Sequence, residues 1–239
     1  MKVRVRMAKT DLSRFLSHLD LQRTLERTLR RAGLPLAFTQ GYNPHPRISF
    51  ASALATGTSS EGEFVDIDLT EELPPAELVA RVNAQSPVGL RFLEARVVPD
   101  KGDSLFSLID VAEYRLTVSV PAAVPEGALP AAVAAFLARD VVAVEKEGKR
   151  GARVLNIREQ VYGLTVEGAL PEPDGTGLVV NLRALLQSGS QGSLKPETLL
   201  EGLQAVAPEL GAAALVGAHR LMLYRRDAES GVLLEPWDL

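Results

Sequence analysis

The sequence predicts an α+β protein made of two halves, each a split βαβ unit with an antiparallel sheet. Short segments alternate apolar with polar residues, as strands with one buried face do. Longer segments between them begin at a proline or a capping side chain and carry apolar residues at helical spacing. The order strand, helix, strand, strand, helix, strand is used twice. This is the element order of the ferredoxin-like fold.

A strand and a helix open the first half. Residues 2–7 alternate apolar with basic side chains, the period of a strand with one solvated face. A helix is expected from Ser17, which can cap its start, to about Arg31, because Gly33 and Pro35 follow. Its apolar stripe consists of Leu21, Leu25, Leu29 and Ala32. The arginines expected to face away from this stripe and to be exposed are Arg23, Arg27, Arg30 and Arg31.

The rest of the first half surrounds a loop that is expected to be rigid. Residues 41–47, with the sequence GYNPHPR, are too rich in turn formers and prolines for regular structure. Strands are expected at residues 36–38, 48–54, 64–69 and 90–98, and a helix at residues 75–85.

The second half is expected to repeat the order of the first. Its strands are expected at residues 114–120, 141–146, 162–166, 178–182 and 219–224, and its helices at residues 130–138 and 196–206. Polar residues interrupt the pattern between positions 99 and 110. We therefore expect an N-terminal ferredoxin-like half at residues 1–105, which carries the basic helix and the rigid loop, and a C-terminal ferredoxin-like half at residues 106–239.

Composition excludes several classes of protein. Of 239 residues, 46% are hydrophobic and 23% charged, as in ordinary globular proteins. The chain has no cysteine, which excludes disulfides, thiolate metal sites and cysteine nucleophiles and favours a reducing cytoplasm. The longest apolar runs fall far short of the roughly 20 residues of a membrane span, and the N-terminal residues lack the continuous apolar region of a secretion signal. We expect a cytoplasmic protein with no membrane partner.

Positive charge is concentrated near the N-terminus. Residues 1–50 hold ten basic side chains against three acidic ones, although the whole chain has a net charge of −4. A local excess of positive charge can bind a polyanion regardless of overall pI. The alternative is that the arginines merely solvate a helix.

Candidate binding residues lie in this basic segment. The RNA-binding or partner-binding surface is expected to comprise Arg14, His18, Arg23, Arg27, Arg30, Arg31, Tyr42, Asn43, His45 and Arg47. Tyrosine, histidine and arginine together in a rigid loop suit stacking on a base and holding a phosphate. A structural interpretation stays open, since the loop's glycine, asparagine and prolines suit a turn and a histidine beside a helix cap can have no further role.

Motifs for metal binding or a known catalytic chemistry are absent from the sequence. His18 and His45 lack HxxxH or HExxH spacing, and no Walker, GxGxxG or GxSxG motif occurs. We expect no metal and no cofactor. An acidic group consists of Glu61, Glu63, Asp66 and Asp68. It is expected to form the solvated face of a strand, with pairing to the arginines as the alternative.

Four segments carry a family resemblance: residues 15–20 (FLSHLD), 27–35 (RTLRRAGLP), 41–51 (GYNPHPRISFA) and 61–69 (EGEFVDIDL). Together they resemble the stand-alone form of the radical-SAM-associated protein family, catalogued as a domain of unknown function (number 2344). The resemblance covers the layout of residues 2–210 and is specific in residues 13–69. It implies partnership with a radical SAM enzyme, and it marks His18, Asp20, Asn43, His45 and Arg47 as motif positions without an assigned role.

Three functions follow as hypotheses. The first is a non-catalytic RNA-binding or substrate-presenting accessory protein that acts with a radical SAM enzyme in RNA modification. The chain itself lacks the three cysteines of such an enzyme. The second is a metal-independent endoribonuclease that uses His18 and His45 as general base and acid. The third is a protein–protein interaction module whose arginine face docks on an acidic partner.

Overall fold

The computed structural model describes residues 1–100, 102–148 and 151–239. Lys101, inside the expected join between the halves, lies outside the described residues. The strands are β1 Lys2–Lys9, β2 Ile48–Phe50, β3 Ser59–Asp68, β4 Leu90–Val98, β5 Val111–Pro121, β6 Ala143–Gly148, β7 Gly151–Asn156, β8 Val161–Pro171, β9 Gly177–Gln187, β10 Ala214–Arg226 and β11 Leu233–Leu234. The helices are α1 His18–Arg31, α2 Pro75–Asn83, α3 Leu105–Leu108, α4 Ala128–Leu137 and α5 Pro196–Val206. A 3₁₀ helix at Asp11–Phe15 precedes α1.

The chain divides into two compact units. Unit 1 comprises Met1–Val111, Gly189–Gln191 and Arg220–Leu239. Unit 2 comprises Ala112–Ser188 and Gly192–His219. The end of the chain, from Arg220 onward, therefore belongs to the same unit as its beginning.

Unit 1 has the strand order of a split βαβ sheet. Strand β1 pairs antiparallel with β3 on one side and with β4 on the other, and β2 pairs antiparallel with β3. From Arg220 onward, β10 also belongs to this sheet and lies beside β3. The register places Val5 opposite Val65 and Ala95, so apolar residues from three strands share one face. The predicted α+β class with antiparallel sheets is confirmed.

Helices α1 and α2 cover the apolar face of this sheet. Leu21, Leu25 and Leu29 of α1 are buried against Val3, Val5 and Met7 of β1 in a continuous core. The Ser17 hydroxyl accepts a hydrogen bond from the Asp20 backbone N–H (3.2 Å), which caps α1 at the predicted position.

The opposite face of the unit 1 sheet is covered by the C-terminal segment. The Trp237 ring packs edge-to-face on Phe64, with centroids 5.0 Å apart, and the Arg96 guanidinium lies 4.6 Å from the Trp237 ring centroid. Arg4 donates hydrogen bonds to the carbonyl oxygens of Pro236 and Leu239. Phe64 is consequently buried and not available to a ligand.

Unit 2 repeats the arrangement with an insertion. Its strands follow the order β10-β5-β9-β8, to which β10 contributes residues 214–219. Strands β6 and β7 form a separate antiparallel hairpin between α4 and β8. The sequence predicted one strand here instead of two. Helices α4 and α5 pack closely at Gly202, where an added Cβ would lie 3.1 Å from the Phe136 ring.

Some predicted strands are shorter in the structure. Residues 36–38 form only isolated bridges, from Leu36 to Leu69 and from Phe38 to Pro46, because Pro35 and Pro46 have no N–H to donate to a ladder. The strand predicted at residues 48–54 ends at Phe50. The short helix α3 was not predicted.

Gly62 lies where β3 approaches β10 too closely for a side chain. A Cβ at this position would lie 2.5 Å from both the Leu221 carbonyl oxygen and the Met222 Cα. These atoms are backbone atoms of a paired strand, so neither can rotate away. The glycine in the motif at residues 61–69 therefore has a steric explanation.

We predict that Gly62→Ala lowers the free energy of unfolding by about 1–3 kcal/mol, the usual range for overpacking in a closely packed site. The measurement is urea denaturation followed by circular dichroism. Gly168→Ala in β8 is the matched control because an added Cβ there meets open space, and it should change the free energy by less than about 0.5 kcal/mol. Equal losses in both variants would contradict the steric explanation.

Candidate nucleic-acid interface

Exposed arginines form a stripe along α1. Arg23, Arg27, Arg30 and Arg31 are all exposed, as predicted. Positions three and four residues apart lie on one side of a helix, and the stripe from Arg23 to Arg30 is about 10 Å long at the α-helical rise.

Two of these arginines donate hydrogen bonds to backbone carbonyl oxygens, and one forms an ion pair with a carboxylate. Arg27 Nε donates to the Arg23 carbonyl oxygen (3.2 Å), and Arg31 Nη2 donates to the Gln85 carbonyl oxygen (3.0 Å). Arg23 is 3.7 Å from Asp20 in an exposed pair. Within the described part of the chain, the other three arginines of the stripe have no carboxylate partner. An exposed pair such as Arg23–Asp20 contributes about 0–1 kcal/mol and leaves the arginine available.

Residues 37–47 form a closed hairpin loop beside this helix. The Thr39 N–H donates to the His45 carbonyl oxygen (2.9 Å), and the His45 N–H donates to Thr39 Oγ1 (3.0 Å). The Arg47 N–H donates to the Ala37 carbonyl oxygen (2.9 Å). These bonds and the two prolines hold the tip of the loop, where Tyr42 is 100% exposed. Asn43 and His45 are also exposed.

An arginine–aromatic contact joins the helix to the hairpin loop. The Arg30 guanidinium lies 5.1 Å from the centroid of Phe38, whose side chain is 39% exposed. We refer to the four arginines of α1 and the exposed residues of the hairpin loop, two segments that meet at Arg30 and Phe38, as the basic face of unit 1. Phe38 was missed as a site residue because it was placed in a strand.

A second arginine–aromatic contact precedes α1. The Arg14 guanidinium lies 4.7 Å from the centroid of Phe15, which is 53% exposed. The Arg14 carbonyl oxygen accepts a hydrogen bond from the Gly57 N–H (2.9 Å), which fixes the backbone of the 3₁₀ helix. Only Leu16 and Ser17 separate this pair from α1. Phe15 belongs to one of the segments that carry the family resemblance, but no local pattern indicates that its side chain is exposed.

The two histidines of the predicted site, His18 and His45, have different environments. The His18 ring is partly buried and packs edge-to-face on Phe50, with centroids 5.1 Å apart. His45 is exposed, and its backbone closes the hairpin loop. The contact with Phe50 gives His18 a packing role between α1 and β2.

Two carboxylates of the acidic group on β3, Glu63 and Asp66, form buried ion pairs. Arg220 Nη1 donates to both carboxylate oxygens of Glu63 (3.0 and 3.2 Å), and this pair is buried. Arg4 donates from Nε and Nη2 to the two carboxylate oxygens of Asp66 (2.8 and 3.1 Å), also in a buried pair. The prediction of a solvated acidic face was wrong for Glu63 and Asp66, because β10 and the C-terminal segment cover them.

Three of the basic residues counted near the N-terminus have partners within the fold. Arg4 is buried against Asp66. Lys9 is buried and donates to the Leu16 carbonyl oxygen (2.8 Å), and burial lowers the pKa of its ammonium group. Arg47 pairs with Asp68 at 3.0 Å. The positive charge available to a ligand is therefore smaller than the sequence count and centres on α1.

Arg47 differs from the other arginines of the predicted site. Its side chain is 58% exposed, and it lines a polar cleft of about 360 Å³ together with Asp66 and Asp68. Carboxylates in this cleft disfavour a phosphate. Among the described residues, no three histidine or acidic side chains lie close enough together to hold a metal ion, and no helix has the length and apolar character needed to cross a membrane.

Fold and surface together define a double split-βαβ protein with a basic face on its first unit. Residues 2–196 match the family described as "Uncharacterized protein conserved in bacteria (DUF2344)", so the chain belongs to that family. This confirms the family suspected from the sequence, and the association with a radical SAM enzyme stays a prediction. No curated protein matches the sequence.

One solved structure is similar in fold at low sequence identity, and a second gives a weaker match. A chain in the "Crystal Structure of a Cbf5-Nop10-Gar1 Complex" matches with a TM-score of 0.51 and 13% identity, over 94% of this chain and 50% of that one. A chain in the "Crystal structure of the archaeal box H/ACA sRNP Nop10-Cbf5 complex" matches with a TM-score of 0.46 and 13% identity, over 91% and 46%. This protein spans about half the length of the chains it matches. At this identity the likeness concerns the fold alone.

We predict that Arg47→Ala lowers the free energy of unfolding by less than about 1 kcal/mol, because its pair with Asp68 is largely exposed. The melting temperature should fall by less than about 4 °C for a chain of this size. Asp66→Ala is the contrasting variant. It leaves Arg4 buried without its carboxylate and should cost about 3–5 kcal/mol. A loss for Arg47→Ala as large as for Asp66→Ala would make Arg47 a structural residue.

Proposed function

We propose that this protein binds RNA through the basic face of unit 1 and acts as a non-catalytic accessory protein that presents RNA to a modifying enzyme of the radical SAM class. The observation that carries the proposal is the stripe of exposed arginines on α1, most of which have no acidic partner among the described residues. In the same unit, Glu63 and Asp66 have buried arginine partners.

The charge distribution supports a localised polyanion site. The chain has a net charge of −4, so nucleic acid is repelled on average and attracted only where positive charge is concentrated. Arginine suits such a face because its planar guanidinium can bind phosphate oxygens through two parallel hydrogen bonds. Binding of this kind is sequence-independent and weakens with salt as counterions return to the nucleic acid.

The expected partnership has separate support. The family resemblance implies a radical SAM enzyme as partner, and a chain without cysteine cannot hold the iron–sulfur cluster of such an enzyme itself. A chain of similar fold occurs in a Cbf5-Nop10-Gar1 complex, which is a precedent for this fold in a multiprotein assembly. In this proposal unit 1 supplies the RNA contact, and unit 2 is left for the partner.

We predict that Arg23→Ala/Arg27→Ala weakens RNA binding and reduces the magnitude of the slope of log K against log salt by about 1.4, the value for two lost phosphate contacts on single-stranded RNA. The measurement is fluorescence anisotropy at several salt concentrations. Both side chains lie on the exposed side of α1 and alanine favours helix, so stability should change little. Arg91→Ala/Arg139→Ala, at two exposed positions outside the basic face, is the matched control. A slope that is unchanged in the α1 variant would contradict the proposal.

We predict that purification from the native cell without nuclease recovers both RNA and a radical SAM enzyme. RNA is identified by sequencing and protein by mass spectrometry. Loss of the RNA alone from the Arg23→Ala/Arg27→Ala variant would agree with separate surfaces for RNA and enzyme. An acidic protein recovered without RNA, in a complex that salt dissociates, would favour the interaction-module hypothesis instead.

A further inference from the structure

We propose that the basic face takes unpaired RNA, whose bases stack on exposed aromatic rings while the arginines of α1 hold the phosphates. This inference rests on the proposed function and specifies its substrate class. The observations that carry it are the exposed rings of Phe15, Phe38 and Tyr42, which all lie in or next to the arginine-bearing segments.

Among the described residues five phenylalanine and tyrosine rings are exposed, and three of them, Phe15, Phe38 and Tyr42, lie in or next to the arginine-bearing segments, whereas Phe106 and Tyr162 lie elsewhere. Phenylalanine, tryptophan and tyrosine make up 5% of the sequence, and large aromatic side chains normally contribute to a core or an interface. Phe64, Phe92 and Phe136 are fully buried. Tyr42 is 100% exposed on a loop whose backbone is closed by hydrogen bonds between Thr39 and His45.

For two of the rings, an arginine guanidinium lies over one face, so a base would stack on the opposite face. The guanidinium groups lie 5.1 Å from the Phe38 centroid and 4.7 Å from the Phe15 centroid. An arginine next to a ring holds both groups in place and adds positive charge where a nucleotide's phosphate would lie. Because the hairpin loop is already closed, presenting Tyr42 to a base requires little additional ordering.

Paired RNA does not fit this arrangement. Bases inside an A-form helix are stacked on each other, and the deep, narrow major groove excludes side chains. Aromatic rings therefore meet base faces only in single strands, loops and bulges, where stacking contributes about 1–3 kcal/mol per base. A surface that used arginines alone would bind duplex and single strand through their phosphates and would gain nothing from exposed rings.

The test compares one RNA sequence in two forms with the full-length protein. A labelled RNA of about 12 nucleotides, within the range of single-strand site sizes, is titrated by fluorescence anisotropy as a single strand and as a blunt duplex. Tyr42→Leu keeps an apolar side chain but removes the ring, and Tyr42→Phe keeps the ring. Tyr162→Leu in unit 2 is the control at another exposed tyrosine.

We expect the single strand to bind more tightly than the duplex. Tyr42→Leu should weaken single-strand binding about 5-fold to 150-fold, the equivalent of one lost stacking contact, while Tyr42→Phe and Tyr162→Leu leave it within about twofold. Tyr42 is fully exposed, so the variants fold normally. Binding that is lost with Arg23→Ala/Arg27→Ala but unchanged by Tyr42→Leu, or equal for both RNA forms, would overturn this inference and leave the proposed function standing. No RNA binding by the unmodified protein would overturn both.

Discussion

Arg220 and Arg4 reach the acidic strand β3 from the two ends of the chain, and their buried ion pairs with Glu63 and Asp66 connect those ends to the centre of the unit 1 sheet. Two charges in a protein interior are tolerated only when each satisfies the other and the remaining hydrogen-bonding groups have partners. Arg220 meets this condition because it also donates a hydrogen bond to the Ala53 carbonyl oxygen. Arg4 meets it because it donates hydrogen bonds to backbone oxygens of the C-terminal segment. The exposed arginines of α1 take no part in these two pairs.

The C-terminal segment covers part of the sheet of unit 1. Split βαβ proteins can use the open face of the sheet for a ligand, but Trp237 packs on Phe64 over that face in unit 1. The helices cover the opposite face. Outside these covered residues, exposed arginines and aromatic rings occur together on α1 and the hairpin loop, where Arg30 contacts Phe38.

Local patterns predicted α1 well and the acidic group poorly. The capping hydroxyl of Ser17, the leucine stripe and the exposed arginines all depend on residues within a few positions of each other, which the sequence displays directly. The partner of Glu63 lies 157 positions away, and no local pattern could identify it.

The exposure of Phe38 was not predicted, for a different reason. A short strand was expected at residues 36–38, whereas the adjacent prolines reduce that segment to isolated bridges and leave the ring beside Arg30.

The central claim is that RNA contacts the basic face of unit 1, and ultraviolet crosslinking of bound RNA followed by mass spectrometry of the crosslinked peptides tests it most directly. Aromatic rings stacked on bases are well placed for such a reaction. The account predicts crosslinked peptides from residues 14–47, with Phe38 or Tyr42 as attachment sites. Crosslinks confined to residues 112–219 in unit 2, or to the segment that contains Trp237, would contradict it.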